Sequence, residues 1–208
     1  MRKELTEIVC VVDRSGSMGA MRREAIGGFN AFLSAQKAEP GEAVLTLVLF
    51  DHEYELVHDA VPIAQVPPLD GETYEPRGTT ALLDAVGRTI DDVGRRLAGT
   101  PEPQRPDKVI VAILTDGLEN ASQDYTHRKV AKMIAHQREK YSWEFVFLAA
   151  NQDAIATAAR MSIDAADAIG FAGTAEGVRD AYVCMSSEVS RRRRSSDGNK
   201  NGGKRGRK

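Results

Sequence analysis

The chain has few cysteines and no long apolar run, and each shortage excludes a kind of protein. Its 208 residues include two cysteines, Cys10 and Cys184, too few for the disulfide framework of a small secreted domain. Each lies in an apolar segment, where we expect a free thiol to be buried like a small hydrophobic side chain, and this favours a reducing compartment. The run from Ile8 to Val12 is too short for a signal peptide or a membrane span. We therefore expect a soluble, cytoplasmic protein.

Several signatures of enzymes are also missing. The sequence has no Gly-x-Ser-x-Gly motif of a serine hydrolase and no Gly-x-x-x-x-Gly-Lys phosphate loop. A phosphotransferase on a similar sheet needs a second carboxylate two residues after Asp13, where this chain has Ser15. The four histidines lack the cysteine or glutamate spacing that closes a zinc site. We therefore predict that the protein is not an enzyme.

The net charge of −2 hides a strong asymmetry. Residues 191–208 carry nine Lys or Arg against Asp197, and removing that charge of +8 leaves about −10 on residues 1–190. We predict one domain over residues 1–190 and a disordered basic tail over 191–208. The tail contains no aromatic residue for base stacking. It is either simply solvated or in nonspecific contact with nucleic acid or another acidic surface.

Apolar runs of strand length alternate with segments of helical period, which predicts an α/β fold of three layers. The runs are nearly continuous, as in parallel strands that helices cover on both faces. Residues 54–61 are mixed polar and apolar and follow the preceding strand closely, which indicates an antiparallel edge strand. We expect a mostly parallel, Rossmann-like sheet of about six strands. The predicted strands are Ile8–Val12, Val44–Phe50, Tyr54–Val61, Val109–Leu114, Phe145–Ala150 and Ala168–Phe171. The predicted helices are Met18–Ala38, Thr80–Leu97, Thr126–Lys140, Gln152–Met161 and Thr174–Ser190.

Three polar loops adjoin these elements, at residues 13–18, 77–80 and 114–117. Ligands of an open parallel sheet bind where the carboxyl ends of its strands meet, so we expect the three loops to converge. Their candidate ligands all present oxygen, which suits a hard cation such as Mg²⁺, with Mn²⁺ or Ca²⁺ as alternatives. These candidate metal-binding residues are Asp13, Ser15, Ser17, Thr80 and Asp116.

The three loops, in this order, resemble the metal-ion-dependent adhesion site of von Willebrand factor A domains. The resemblance covers roughly residues 5–190, and it is greatest to stand-alone bacterial and phage proteins of that family. The matching segments are Asp13–Met18, Thr80–Ala85 and Leu114–Gly117.

The resemblance implies a role for each candidate residue. Ser15, Ser17 and Thr80 are expected to bind the metal directly. Asp13 and Asp116 are expected to act mainly through water. Thr79 competes with Thr80 for its place, because the two hydroxyls are adjacent in the sequence.

The implied function is protein binding, in which an Asp or Glu of a partner protein replaces a water on the bound cation. Two alternatives stay open. One is a scaffold or cofactor subunit of an ATPase or chelatase complex, as other domains of this family often are. The other is a nucleic-acid-associated protein that acts through its tail.

Overall fold

The computed structural model describes residues 1–150 and 154–195. Within them, six strands alternate with five α-helices, and a short 3₁₀ helix, Gly16–Met21, precedes the first α-helix. The bounds in chain order are β1 Arg2–Asp13, α1 Arg22–Ala38, β2 Glu42–Phe50, β3 Tyr54–Pro62, α2 Leu82–Gly99, β4 Pro106–Thr115, α3 His127–Tyr141, β5 Glu144–Ala149, α4 Ala154–Arg160, β6 Ala168–Gly170 and α5 Ala175–Arg194.

The six strands form one sheet in the order β3-β2-β1-β4-β5-β6. Every neighbouring pair is parallel except β2 and β3, which are antiparallel. The predicted α/β fold, with a mostly parallel sheet and one antiparallel edge strand, is therefore confirmed.

The central strand β1 is buried on both faces, and alternate residues enter two different cores. Ile8, Cys10 and Val12 pack with α1 and α5 on one face. Val9 and Val11 pack with α2, α3 and α4 on the other. Because both faces are covered by helices, every position from Ile8 to Val12 is apolar, which explains the nearly continuous run in the sequence.

The helix predicted to begin at Met18 begins later, because a 3₁₀ turn over Gly16–Met21 precedes α1 at Arg22. In this turn the Ser17 hydroxyl donates to the carboxylate of Asp116, 2.7 Å away. The N–H of Met18 donates to the carbonyl of Ser15, three residues back, at 3.0 Å, which is the 3₁₀ pattern and not the α-helical one, so the prediction was wrong by about one turn.

The prediction that the tail begins at residue 191 is also wrong at its start, because α5 continues to Arg194. The Arg192 side chain is only 6% exposed and forms ion pairs with Glu144, Asp167 and Glu188. Part of the basic run therefore belongs to the folded domain. Residues 196–208 lie outside the described residues, so disorder there stays a prediction.

The two cysteines differ in their surroundings. Cys10 is buried in β1, as expected, and burial raises the pKa of its thiol. Cys184, on α5, is exposed, contrary to expectation. Separately, none of the described helices is both long and apolar enough to span a bilayer.

Candidate metal site

The candidate site lies at the switch point of the sheet topology. From β1 the chain continues to β2 on one side, whereas β4 pairs with β1 on the other. Val12 pairs with Leu114, so the segments that follow these two residues leave the sheet side by side. Asp13 ends β1, and Asp116 directly follows the last residue of β4. Such a crevice at the carboxyl ends of the strands is where open α/β sheets bind ligands.

Asp13 is fully buried and held by hydrogen bonds at three of its oxygens. Its Oδ1 accepts the backbone N–H of Ser15 at 2.6 Å, and its Oδ2 accepts the hydroxyl of Thr115 at 2.6 Å. Its backbone carbonyl accepts the phenol of Tyr74 at 2.6 Å. Burial raises the pKa of Asp13 to about 6, although the bonds from Ser15 and Thr115 act in the opposite direction. The carboxylate therefore fixes the loop around it.

Two serine hydroxyls connect Asp13 to the loop after β4. The Oγ atoms of Ser15 and Ser17 are 3.1 Å apart, and the Ser17 hydroxyl donates to Oδ1 of Asp116 at 2.7 Å. Ser15 is buried, whereas Ser17 is exposed. Partial burial raises the pKa of Asp116. Four of the five predicted residues thus form one hydrogen-bonded cluster of oxygens that reaches the surface at Ser17.

Thr80, the fifth residue, lies against the same loop. Its side chain is buried, while the neighbouring Thr79 is exposed. A Cβ atom at Gly117 would lie 2.7 Å from Oγ1 of Thr80, so this hydroxyl touches the backbone just after Asp116. Only glycine allows that approach. The structure therefore places Thr80, and not Thr79, beside the cluster, although its binding of a metal stays a prediction.

Backbone hydrogen bonds join the first loop to the Thr80 loop. The N–H of Gly16 donates to the carbonyl of Gly78 at 3.1 Å, and the N–H of Arg77 donates to the carbonyl of Arg14 at 2.9 Å. Gly78 has a φ of +65°, and a Cβ atom there would meet His52 at 2.1 Å. Glycine is thus required at this position both by its conformation and by its neighbour.

Asp51, at the end of β2, is a structural residue of the site that the sequence analysis missed. Its buried carboxylate accepts hydrogen bonds from Arg14 at 3.0 Å, from Arg77 at 2.9 Å and from the N–H of Glu53 at 2.7 Å. Its carbonyl accepts the N–H of Ala81 at 2.8 Å. Burial alone would raise the pKa of Asp51, but the bonds from Arg77 and Glu53 and the charge of Arg14 hold it below the ordinary value. A signal existed, since Asp51 follows an apolar strand just as Asp13 does.

Asn120 and Glu119, in the loop after β4, were missed as well. Helix α2 begins after Ala81, which offers no side-chain cap. Instead, the N–H of Thr80 donates to Oδ1 of Asn120 at 2.9 Å, and the N–H of Leu83 donates to Glu119 at 2.9 Å. A helix beginning at Thr80 would pair its carbonyl with the N–H of Asp84, but that carbonyl accepts the N–H of Asn120 at 3.1 Å, so the helix begins two residues later than predicted. No sequence spacing marks these bonds, because they join residues about 40 positions apart.

The donor set fits a hard divalent cation. Across residues 1–150 and 154–195, no three His, Cys, Asp or Glu side chains converge closely enough to hold a metal. A cation at this edge would therefore need the hydroxyls of Ser15, Ser17 and Thr80 in addition to carboxylate oxygens. Oxygen ligands alone suit Mg²⁺, whereas zinc prefers nitrogen and sulfur.

Comparison by sequence finds no matching family model and no matching curated protein. Comparison of structures does find proteins of similar fold. Proximal thread matrix protein 1 from the mussel byssus superposes with a TM-score of 0.63 at 12% identity, covering 91% of this chain and 49% of that protein. A form of the same protein with a zinc-occupied MIDAS motif gives 0.61 at 13% identity, again covering 91% of this chain and 49% of that one.

A third match has nearly the same extent as this chain. The vWF domain of the type V pili tip protein Mfa5 from Porphyromonas gingivalis has a TM-score of 0.61 at 12% identity, covering 93% of this chain and 98% of that domain. This chain thus spans about half of the mussel protein but almost all of the pili domain. At such low identity the likeness concerns the fold. The protein has the fold of a von Willebrand factor A domain, as its motifs predicted.

Proposed function

We propose that this protein is a metal-dependent binding module that captures an Asp or Glu side chain of a partner protein through a divalent cation, Mg²⁺. One observation carries the proposal. The hydrogen-bonded oxygens of Ser15, Ser17 and Asp116 come from loops 99 residues apart and meet at the exposed carboxyl edge of the sheet. Packing of the core alone does not require such a cluster of polar side chains.

The charges of the surrounding residues favour an acidic ligand. A bound Mg²⁺ supplies positive charge and a coordination position at which water exchanges. The hydroxyls of Ser15, Ser17 and Thr80 are neutral and cancel none of that charge. Both carboxylate oxygens of Asp13 already accept hydrogen bonds, so this residue holds the loop rather than filling the exchangeable position. A carboxylate from outside therefore complements the site better than a neutral group does.

The structural relatives support a cation at this place. The mussel protein with zinc in its MIDAS motif superposes on most of this chain. Our choice of Mg²⁺ rests instead on the oxygen-only donor set described above. We also propose that the module acts by binding alone, without catalysis.

Direct binding of the metal is the first test, with Mn²⁺ as the probe in isothermal titration calorimetry. We expect Asp116→Ala to weaken Mn²⁺ binding about tenfold or more, because residues that orient metal ligands typically contribute that much. Asp92→Ala, which removes a surface carboxylate on α2, is the matched control and should leave the affinity unchanged. Equal affinities in all three proteins would contradict the proposal.

Capture of the partner is the second test. Wild-type protein and Asp116→Ala are used as baits for host lysate, with Mg²⁺ or with EDTA. We expect a protein that only the wild type retains, and only with Mg²⁺. An ATPase among the captured proteins would favour the scaffold alternative instead. A partner that binds equally well in EDTA would refute capture through the cation.

The described residues do not favour the nucleic-acid alternative. Arg192 is buried among carboxylates, and Arg194 pairs with Glu39. At least part of the basic run is thus already neutralised within the domain. A role for residues 196–208 in contact with nucleic acid stays a prediction.

A further inference from the structure

Two adjacent hydroxyls, those of Thr79 and Thr80, compete for one place beside the candidate site. They differ in exposure, since Thr79 faces solvent and Thr80 is buried. Both residues precede α2, where no helical hydrogen bond fixes their orientation. Some other contact must therefore hold the backbone so that Thr80 points inward.

Asn120 makes this contact from both sides of Thr80. Its side-chain Oδ1 accepts the N–H of Thr80 at 2.9 Å, and its own backbone N–H donates to the carbonyl of Thr80 at 3.1 Å. The two bonds together fix the peptide groups before and after Thr80. The register comes from α2, whose Leu82 and Leu83 side chains are buried in the core, and in that register the residue that Asn120 holds is Thr80 rather than Thr79.

Asn120 is itself held by its neighbours. The carboxylate of Glu119 accepts the N–H groups of Ala121 at 3.0 Å and Ser122 at 2.8 Å, and it also accepts the Ser122 hydroxyl at 2.7 Å. The same carboxylate accepts the N–H of Leu83 from the first turn of α2. The loop after β4 thus caps the helix that follows Thr80.

Helix α2 in turn holds that loop. The N–H of Asp84 donates to the Ser122 hydroxyl at 3.0 Å. The Asp84 carboxylate accepts the N–H groups of three consecutive loop residues, Gln123, Asp124 and Tyr125, at 2.8 to 3.0 Å. Because the loop that carries Asp116 and the start of α2 cap one another, they form one rigid unit.

We propose that Asn120 is a positioning residue that holds the Thr80 hydroxyl, as a ligand of the cation, at a fixed distance from Asp116. The proposal rests on the metal-dependent function proposed above. Asn120 acts through the backbone of Thr80 and does not itself bind the cation. Asp51 is a weaker candidate for this role, because its carbonyl holds only the N–H of the next residue, Ala81.

The test measures Mn²⁺ affinity by calorimetry in the full chain. We expect Asn120→Ala to weaken binding about tenfold, within the usual range for residues that orient ligands. Thr80→Ala should weaken binding, whereas Thr79→Ala should not. In the double variant, Asn120→Ala with Thr80→Ala, the loss of Mn²⁺ affinity should be smaller than the two single losses combined, because both changes remove the same ligand.

Asn30 provides a matched control. It also clamps a backbone by two hydrogen bonds, to the N–H and the carbonyl of Leu69, but away from the three loops. Thermal unfolding in EDTA should show at least as much destabilisation for Asn30→Ala, which removes two side-chain bonds, as for Asn120→Ala, which removes one. Only the latter should lose Mn²⁺ affinity. Asn120→Asp keeps the acceptor oxygen and should bind Mn²⁺ at least as well as the wild type.

The outcomes are distinct. If Thr80→Ala weakens Mn²⁺ binding but Asn120→Ala does not, the role of Asn120 is refuted and the proposed function stands. Fully multiplicative losses in the double variant also refute it, since Asn120 would then act independently of Thr80. If the wild type does not bind Mn²⁺, both proposals fail. Should Asn120→Ala not fold, Asn120→Ser, which is too short to reach Thr80, carries the same expectation.

Discussion

Replacement of Asp51 by alanine should destabilise the domain far more than the loss of an ordinary surface carboxylate. The change removes the acceptor that Arg14 and Arg77 share beside the site. Arg14 is the critical partner, because its side chain is only 5% exposed and cannot regain water. Its remaining ionic partner, Glu55, is half-exposed. The variant therefore leaves a buried guanidinium with one partly solvated counter-charge.

The size of the effect follows from this burial. Removing one member of a buried ion pair typically costs about 3–5 kcal/mol, and the remaining contact with Glu55 suggests the lower end, about 3 kcal/mol. For a domain of this size each kcal/mol lowers Tm by about 2–4 °C, so we expect a decrease of roughly 6–12 °C. Asp92→Ala, which breaks exposed pairs on α2, should cost less than about 1 kcal/mol.

The dependence on pH adds an independent check. The pKa of Asp51 is held below its ordinary value in the folded state. Its contribution to stability is therefore present above the pKa of the unfolded chain, about 3.9, and is lost as pH falls through the folded pKa. The difference between wild type and Asp51→Ala should be full at pH 7 and should shrink as the pH falls below about 4.

Urea unfolding in EDTA, at pH 7 and at a series of acidic pH values, measures both quantities without a contribution from bound metal. A loss below about 1 kcal/mol at pH 7 would refute the reasoning, because the Arg14 pocket would then tolerate an unpaired charge. A difference that stayed constant down to pH 2.5 would show that Asp51 is not stabilised as a carboxylate.

Two further predictions concern α5. Arg192→Ala should cost about 3 kcal/mol because it leaves three carboxylates without their buried partner, whereas Arg191→Ala, at an exposed pair, should cost less than about 1 kcal/mol. Urea unfolding compares the two, and equal losses would mean that the basic run is solvated after all. Gly28→Ala should cost about 1–3 kcal/mol, because the added Cβ atom would lie 2.3 Å from the ring of Tyr182. Gly27→Ala is the control: no atom lies within 4 Å of its added Cβ atom, so it should not lower the Tm in thermal scans. A Gly28→Ala protein of wild-type stability would show that α1 and α5 can separate.

The sequence alone determined the architecture and the general location of the site. Strands buried on both faces must be apolar at every position, so the runs around Ile8–Val12 and Val109–Leu114 marked the centre of the sheet. The carboxyl ends of parallel strands meet at one edge, so the polar residues that follow each run were bound to be neighbours. These signals are local, because they depend on the residue types within each run and not on contacts with distant segments.

Only the tertiary structure decided which residues support the site and where several helices begin or end. Thr80 is held beside the cluster by a hydrogen bond to Asn120, and the basic run continues as helix because Glu144 and Asp167 lie beside Arg192. Each of these contacts joins segments 25 or more residues apart. A hydrogen bond or ion pair forms only when both partners are brought within about 3 Å, and no local pattern encodes that distance.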